Sequence, residues 1–351
     1  MENIEEHIED RIKRHIEGQV KLVDKFGRNI DYIRISVTDR CNLRCVYCMP
    51  DKGVEYFDAV ELMTFDEILL FVEAASELGI KKIRITGGEP LMRNGLPGLI
   101  AGIRQIPGIE DLSITTNGVH LEKYSRCLAD AGLDRVNVSL DTMRPERYKE
   151  ITGGGRIDDV LRGIRSAENA GLLPVKLNMV PLKGVNDDEI EDFARLSITT
   201  GYQVRFIELM PTRVNMADTT GKPISAPISS LVSADEIKRR VEKIAPIYPV
   251  KLRRSEPARY YRFEGYEGVF GIISAVTCRF CRECNRLRLT AVGALKPCLY
   301  SDTQVDVKTT MRFGATKEEI KKLIIIGAEL KPQRHNIERE VSLDAMSRIG
   351  G

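Results

Sequence analysis

The 351-residue chain is long enough for about two domains, or for one large barrel with an appendage. Apolar residues make up 42% of it, enough for a sizeable core, and 53 Lys and Arg against 51 Asp and Glu leave a net charge of +2. That balance argues against a general nucleic-acid binder, no apolar run approaches a membrane span, and residues 1–18 lack the apolar centre of a signal peptide, so a cytoplasmic protein is expected.

Residues 1–19 read as a charged amphipathic helix ending at Gly18, and Lys25–Asn29 as a turn. A strand is expected over Asp31–Thr38, where Ile and Val alternate with polar residues. It runs into Cys41-Asn42-Leu43-Arg44-Cys45-Val46-Tyr47-Cys48. Thr64-Phe65-Asp66-Glu67 has the form of a capping box and should open a helix that stops at Gly79. Strands follow at Lys82–Thr86, Leu112–Thr116, Arg135–Leu140, Pro174–Val180 and Val204–Leu209. Between them, helices are expected around Leu96–Gln105 and over Leu121–Ala131, Ile157–Ala170 and Asp187–Thr199. Six evenly spaced strand–helix units, with no nucleotide-type glycine fingerprint at the first turn, predict a parallel α/β fold. Six are too few for a closed eight-stranded barrel, so a partial, splayed (β/α)6 barrel of the TIM type is expected. Its chemistry belongs at the carboxyl ends of the strands, where the cysteine loop, Gly87-Gly88-Glu89, Thr116-Asn117, Asp141 and Met210 fall.

From Thr212 to Ser233 the composition shifts to Ser, Thr, Pro and Gly, a loop expected to cover the barrel's open side. Residues 234–245 and 316–330 read as helices, and Arg253–Val276 as an antiparallel sheet. The domain plan is therefore a helical extension (1–26), a barrel (27–233) and a C-terminal α+β extension (234–351).

Seven of the eight cysteines fall into two groups, which in a cytoplasmic chain favours metal over disulfides. Cys41, Cys45 and Cys48 stand in the spacing C-x3-C-x2-C. Three thiolates can hold three irons of a [4Fe–4S] cube and leave the fourth iron open for chemistry. A zinc knuckle with a distant fourth ligand is the structural alternative. Cys278, Cys281, Cys284 and Cys298 form the second group, compatible either with a zinc ribbon or with another iron–sulfur cluster. Cys127 lies apart and reads as a buried helix residue. The four histidines are scattered and read as ordinary surface or core residues.

The C-N-L-R-C-V-Y-C-M-P loop, the Gly87-Gly88-Glu89-Pro90 turn, the later C-x2-C-N-R-x-R-x9-C run and the terminal Gly350-Gly351 together resemble the GTP 3′,8-cyclase family of radical S-adenosylmethionine (SAM) enzymes, over about residues 27–351. The resemblance implies the partial barrel and two [4Fe–4S] clusters. The first would be held by Cys41, Cys45 and Cys48, the second by Cys281, Cys284 and Cys298 with an iron left for the purine of GTP. Cys278 departs from the family pattern, and as a fourth ligand it would close that iron. Tyr47, Gly88, Ser139 and Met210 are implied as SAM contacts, with Gly88 letting backbone approach the methionine end. Arg34, Arg84 and Lys176 are charges on otherwise apolar strands. Outward surface positions would account for them, and so would a triphosphate in the barrel. Arg286 and Arg288 are two apart, so on an extended segment they share a face beside the second cluster. Thr115 matches a GTP contact, and Lys82 and Arg205 are lesser candidates for the same pocket.

The activity implied is the conversion of GTP and SAM to a 3′,8-cyclised dihydroguanosine triphosphate, 5′-deoxyadenosine and methionine, the first step of molybdenum cofactor biosynthesis. The implied partners are an electron donor and the downstream cyclic pyranopterin monophosphate synthase, with no nucleic acid or membrane, and a homodimer is compatible with the reading. The Gly-Gly tail is implied to enter the active site. A radical SAM peptide maturase is the rival enzyme class, and a zinc-binding protein the non-catalytic one.

Overall fold

The computed structural model describes residues 21–49, 55–211, 228–252, 257–335 and 346–349. The expected N-terminal helix, most of the 212–233 loop and the terminal Gly350-Gly351 lie outside them.

Six parallel strands appear where the periodicity puts them: β1 (Tyr32–Ser36), β2 (Lys82–Thr86), β3 (Asp111–Thr116), β4 (Arg135–Ser139), β5 (Lys176–Met179) and β6 (Gln203–Ile207). They pair in sequential order. The helices between them are α1 (Phe65–Glu77), α2 (Leu96–Gln105), α3 (Leu121–Asp130), α4 (Pro145–Thr152), α5 (Ile157–Asn169) and α6 (Ile190–Thr199). Thr64 and Glu67 form the capping box that opens α1, a device worth about 1 kcal/mol. Helix α4 was not expected; it is a short element starting at Pro145 and capped after Thr152 by Gly153, which takes a left-handed φ of 69°.

The C-terminal part adds α7 (Ala234–Val241), β7 (Ile247–Val250), β8 (Arg259–Phe263), β9 (Val269–Ile273), β10 (Arg286–Leu289), β11 (Ala294–Lys296), β12 (Val305–Asp306), α8 (Lys308–Arg312), α9 (Lys317–Glu329) and α10 (Met346–Ile349). The antiparallel sheet expected at 253–276 exists as β8 and β9, joined by β7 from just before that stretch, but it is not separate from the barrel. Strand β9 pairs in parallel with β6, and β10 pairs in parallel with β1. Twelve strands among the described residues thus form one sheet, in the order β12-β11-β10-β1-β2-β3-β4-β5-β6-β9-β8-β7. Eight neighbours, β10 through β9, run parallel.

The two faces differ sharply. Ile33, Ile35, Ile83, Ile85, Leu112, Ile114, Val136 and Val138 are fully buried on the face that packs against helices. The alternate residues, Arg34, Arg84, Ser113, Thr115, Asn137, Asn178 and Arg205, point the other way. Such a face is tolerable only if its polar groups find partners or a ligand.

Candidate active site

The cysteine loop is fixed from both sides. Gly88 N–H donates to the Thr38 carbonyl and Glu89 N–H to the Arg40 carbonyl, both at 2.8 Å. A Cβ on Gly88 would stand 2.4 Å from the Arg40 oxygen and 2.7 Å from that of Asp39. The missing side chain is thus demanded first by the protein's own backbone, although Gly88 also faces the cavity described below. On the far side Arg44 N–H donates to Thr152 O at 2.8 Å and Val46 N–H to Ile151 O at 3.0 Å, so α4 buttresses the loop. Cys48 and Met49 N–H both return to the Cys45 carbonyl, at 2.9 and 3.1 Å, making one tight turn of Cys45–Met49. Leu43 N–H at 3.4 Å and Asn117 Nδ2 at 3.8 Å donate to Cys41 Sγ. Burial pushes the Cys41 and Cys45 thiols up, Cys45 further because Cys48, Asp141 and Cys41 add negative charge. Bound metal cations reverse that preference and hold thiolates.

Around this loop stand buried carboxylates. Glu89 Oε1 accepts from Leu91 N–H at 3.0 Å and Thr116 Oγ1 at 2.7 Å, and Oε2 from Asn117 N–H at 2.7 Å. Burial raises its pKa to about 7 against the pull of those donors. Tyr47 OH donates to Asp141 Oδ2 at 2.7 Å, and Val180 N–H donates to the other oxygen at 2.8 Å. Asp141 is raised to about 6, again by burial. Ser139 at the end of β4 and Met210 beyond β6 reach the same cavity.

Strand register puts Arg288, Arg34 and Arg84 side by side across β10, β1 and β2. All three line the cavity rather than the outer surface. Burial and then the Arg288 charge hold the Arg34 guanidinium well below its ordinary pKa; burial, then Arg286, lowers Arg288 to about 10. Crowded cations with depressed pKa values favour a polyanion between them. Arg286 lies over the Phe280 ring at 4.8 Å and also lines the cavity, as does Thr115. Arg205, a lesser candidate by sequence, is on the wall too, held by Asn178 Oδ1 at 2.9 Å and Asn137 Oδ1 at 2.6 Å. Lys176 shares the polar face but sits beside Tyr260, with Nζ 3.4 Å from its hydroxyl, and is not among the lining residues. Lys82 pairs with Asp31 at 3.1 Å.

The second cysteine group lies at the opposite end of the same strands. Cys284 precedes β10, which runs parallel to β1, so it stands where β1 begins; β11 runs back to that end, and Cys298 follows it. Cys41 leaves from where β1 ends. Cys284 and Cys298 line the cavity, while Cys281 is buried beside it without lining it. Cys278 is exposed, as is Cys127 on α3, contrary to the buried position expected for the latter. Burial raises the Cys284 thiol, but the Lys331 and Arg286 charges outweigh it and bring its pKa to about 6.

The two thiol sets therefore flank one cavity of about 280 Å³, with the arginine row between them. Among the described residues no three His, Cys, Asp or Glu side chains stand close enough to share one ion. Cys41, Cys45 and Cys48 on one loop, and Cys284 and Cys298 at the other end with Cys281 beside them, are all-sulfur donor sets whose chemistry fits iron–sulfur cubes. Sequence reasoning had no role for Asn117, the Tyr47–Asp141 pair or Lys331; only the Asn and Asp at strand ends gave a signal.

A parallel, open-sided barrel with a three-cysteine loop after its first strand is the frame of a radical SAM enzyme. Residues 35–197 match the Radical SAM superfamily, and residues 202–337 match Molybdenum Cofactor Synthesis C. The GTP 3′,8-cyclase of Thermodesulfovibrio yellowstonii is 50% identical over 332 residues, covering 94% of this chain and 100% of that protein. That of Pelotomaculum thermopropionicum is 46% identical over 333 residues, with the same coverage, 94% and 100%. The chain belongs to the GTP 3′,8-cyclase family. Streptococcus suis SuiB bound to S-adenosylmethionine has a TM-score of 0.60 at 14% identity, covering 93% of this chain and 79% of SuiB, a likeness of fold alone.

Proposed function

We propose that the chain converts GTP and SAM to (8S)-3′,8-cyclo-7,8-dihydroguanosine 5′-triphosphate, 5′-deoxyadenosine and methionine, opening molybdenum cofactor biosynthesis. The observation that carries this reading is the row Arg288–Arg34–Arg84 set between two thiol groups in one cavity. When bound, a [4Fe–4S] cluster with one open iron supplies the electron that cleaves SAM to methionine and a 5′-deoxyadenosyl radical.

Cys41, Cys45 and Cys48 hold that first cluster, and Cys281, Cys284 and Cys298 hold the second. Gly88, Ser139, Met210 and Tyr47 seat SAM beside the first loop, with Asp141 fixing the tyrosine hydroxyl. Arg34, Arg84, Arg286, Arg288 and Arg205 draw the triphosphate into the middle of the barrel, with Thr115 as a hydroxyl contact and Lys176 adding charge from behind. Their contribution is orientation: the ribose must face the SAM end while the purine faces the second thiol set. Enclosure by the barrel keeps a reactive substrate from water and from side reactions.

No helix among the described residues is long and apolar enough to cross a membrane. A reductant, the enzyme that takes the cyclised nucleotide onward and a second copy of the chain as dimer partner complete the proposal. Anaerobic incubation of the reconstituted protein with SAM, GTP and dithionite tests it. Chromatography with mass detection should find 5′-deoxyadenosine and a cyclised nucleotide of the same mass as GTP but separate from it, because one hydrogen atom leaves the ribose and one electron and one proton are added to the purine; 5′-deoxyadenosine with unchanged GTP would sink the substrate assignment.

A further inference from the structure

Helix α9 ends at Glu329, and two residues on Lys331 turns inward, with only 1% of its surface exposed. A buried ammonium is costly unless its donors are met. Here Nζ stands 3.7 Å from Cys284 Sγ, 2.7 Å from the Arg286 carbonyl and 2.9 Å from the Pro297 carbonyl. Three donors thus meet three acceptors. The acceptors lie on the two segments that carry Cys284 and Cys298, so one side chain ties those segments together.

A second cation works from the other end of the chain. Arg28 is anchored by Asp24 through a 2.5 Å contact, and donates to the Cys281 carbonyl and to the Pro332 carbonyl, both at 2.8 Å. It reaches backbone, whereas Lys331 reaches a sulfur.

We propose that Lys331 is a positioning residue for the second cluster. It holds the Cys284 and Cys298 segments in register and donates a hydrogen bond to the Cys284 thiolate, which raises the potential at which that cluster is reduced. Hydrogen bonds to cluster sulfurs and nearby positive charge set such potentials. The inference rests on Cys281, Cys284 and Cys298 being cluster ligands.

The test is an anaerobic redox titration, followed by electron paramagnetic resonance, of the full chain reconstituted with iron and sulfide. The wild-type chain should hold about eight iron atoms, two cubes of four. A single cluster there sinks the ligand assignment itself, and this proposal with it. Given two clusters, Lys331→Met should shift the reduction equilibrium of the second at least tenfold toward the oxidised form, about 59 mV for one electron, and leave the first unmoved. Lys331→Arg, which keeps charge and donors, should hold the second cluster near its wild-type potential. A second cluster at wild-type potential in Lys331→Met overturns the proposal. Should Lys331→Met fail to assemble that cluster, its recovery in Lys331→Arg supports the proposal and its absence there overturns it.

Discussion

The Tyr47 hydroxyl donates to Asp141 Oδ2 at 2.7 Å, joining the cysteine loop to the residue two beyond the end of β4. The contact fixes an aromatic ring next to Cys48, in the wall of the cavity. Asp141→Asn keeps the shape and removes the charge that favours this bond. A charge-assisted hydrogen bond contributes about 1.5–3 kcal/mol, so SAM binding should weaken roughly tenfold or more. Equilibrium dialysis of labelled SAM against the reconstituted variant measures it, and wild-type affinity would remove Tyr47 from the SAM site.

Gly88→Ala tests the close packing of the two turns. The added methyl would lie 2.4 Å from the Arg40 carbonyl oxygen, so backbone must move. Overpacking of this kind costs about 1–3 kcal/mol. The cluster-free protein should melt several degrees lower, and the reconstituted one should carry less iron in its first cluster. An unchanged melting temperature would mean that the turns part without cost.

The arginine row predicts opposite effects on stability and binding. Arg288 sits between Arg34 and the edge of the sheet, buried among like charges. Arg288→Met should leave the empty protein as stable or more so, while weakening GTP binding by about 1.5–3 kcal/mol, on the order of 10–100-fold. Lys176→Met, behind Tyr260, should weaken it less. Calorimetry with GTP on the cluster-loaded proteins gives both values, and equal losses would place Lys176 on the phosphates directly.

Glu89 gives the pH dependence a sign. Its pKa is about 7 in the fold and 4.5 ordinarily, so between these values the folded chain keeps a proton that the unfolded chain releases. The folded state then binds more protons, and stability falls as pH rises from about 4.5 to 7. In the cluster-free protein, Glu89→Gln should flatten that decline, read as urea midpoints across the range. A slope equal to wild type would assign the decline to Asp141 alone.

Much of this was legible in the chain because local signals are strong where elements are regular. Alternating Ile and polar residues marked β1 and β2, and Thr64 with Glu67 marked the start of α1. Two cysteine groups and paired arginines pointed to the site. What the sequence could not reveal is pairing across distance. Nothing near residues 269–289 says that β9 and β10 extend the barrel at opposite edges, since register depends on strands far away. Lys331 and Arg28 were illegible for a related reason: most of their partners are backbone carbonyls, among them Arg286, 45 positions away, and Cys281, 253 away. A carbonyl carries no mark of residue type.

The same edge pairing bears on how the chain is made. The six consecutive strands are complete once Ile207 has been synthesised, yet the outer edge of β6 waits for Val269–Ile273, and that of β1 for Arg286–Leu289. At roughly 5–20 residues per second the nascent barrel exposes two bare edges for several seconds. Bare edges invite pairing with other chains. The strand that leads into the first cysteine loop is therefore among the last to be sheltered, and the C-terminal quarter of the chain, besides carrying the second thiol set, is what ends the nascent barrel's exposure to its neighbours.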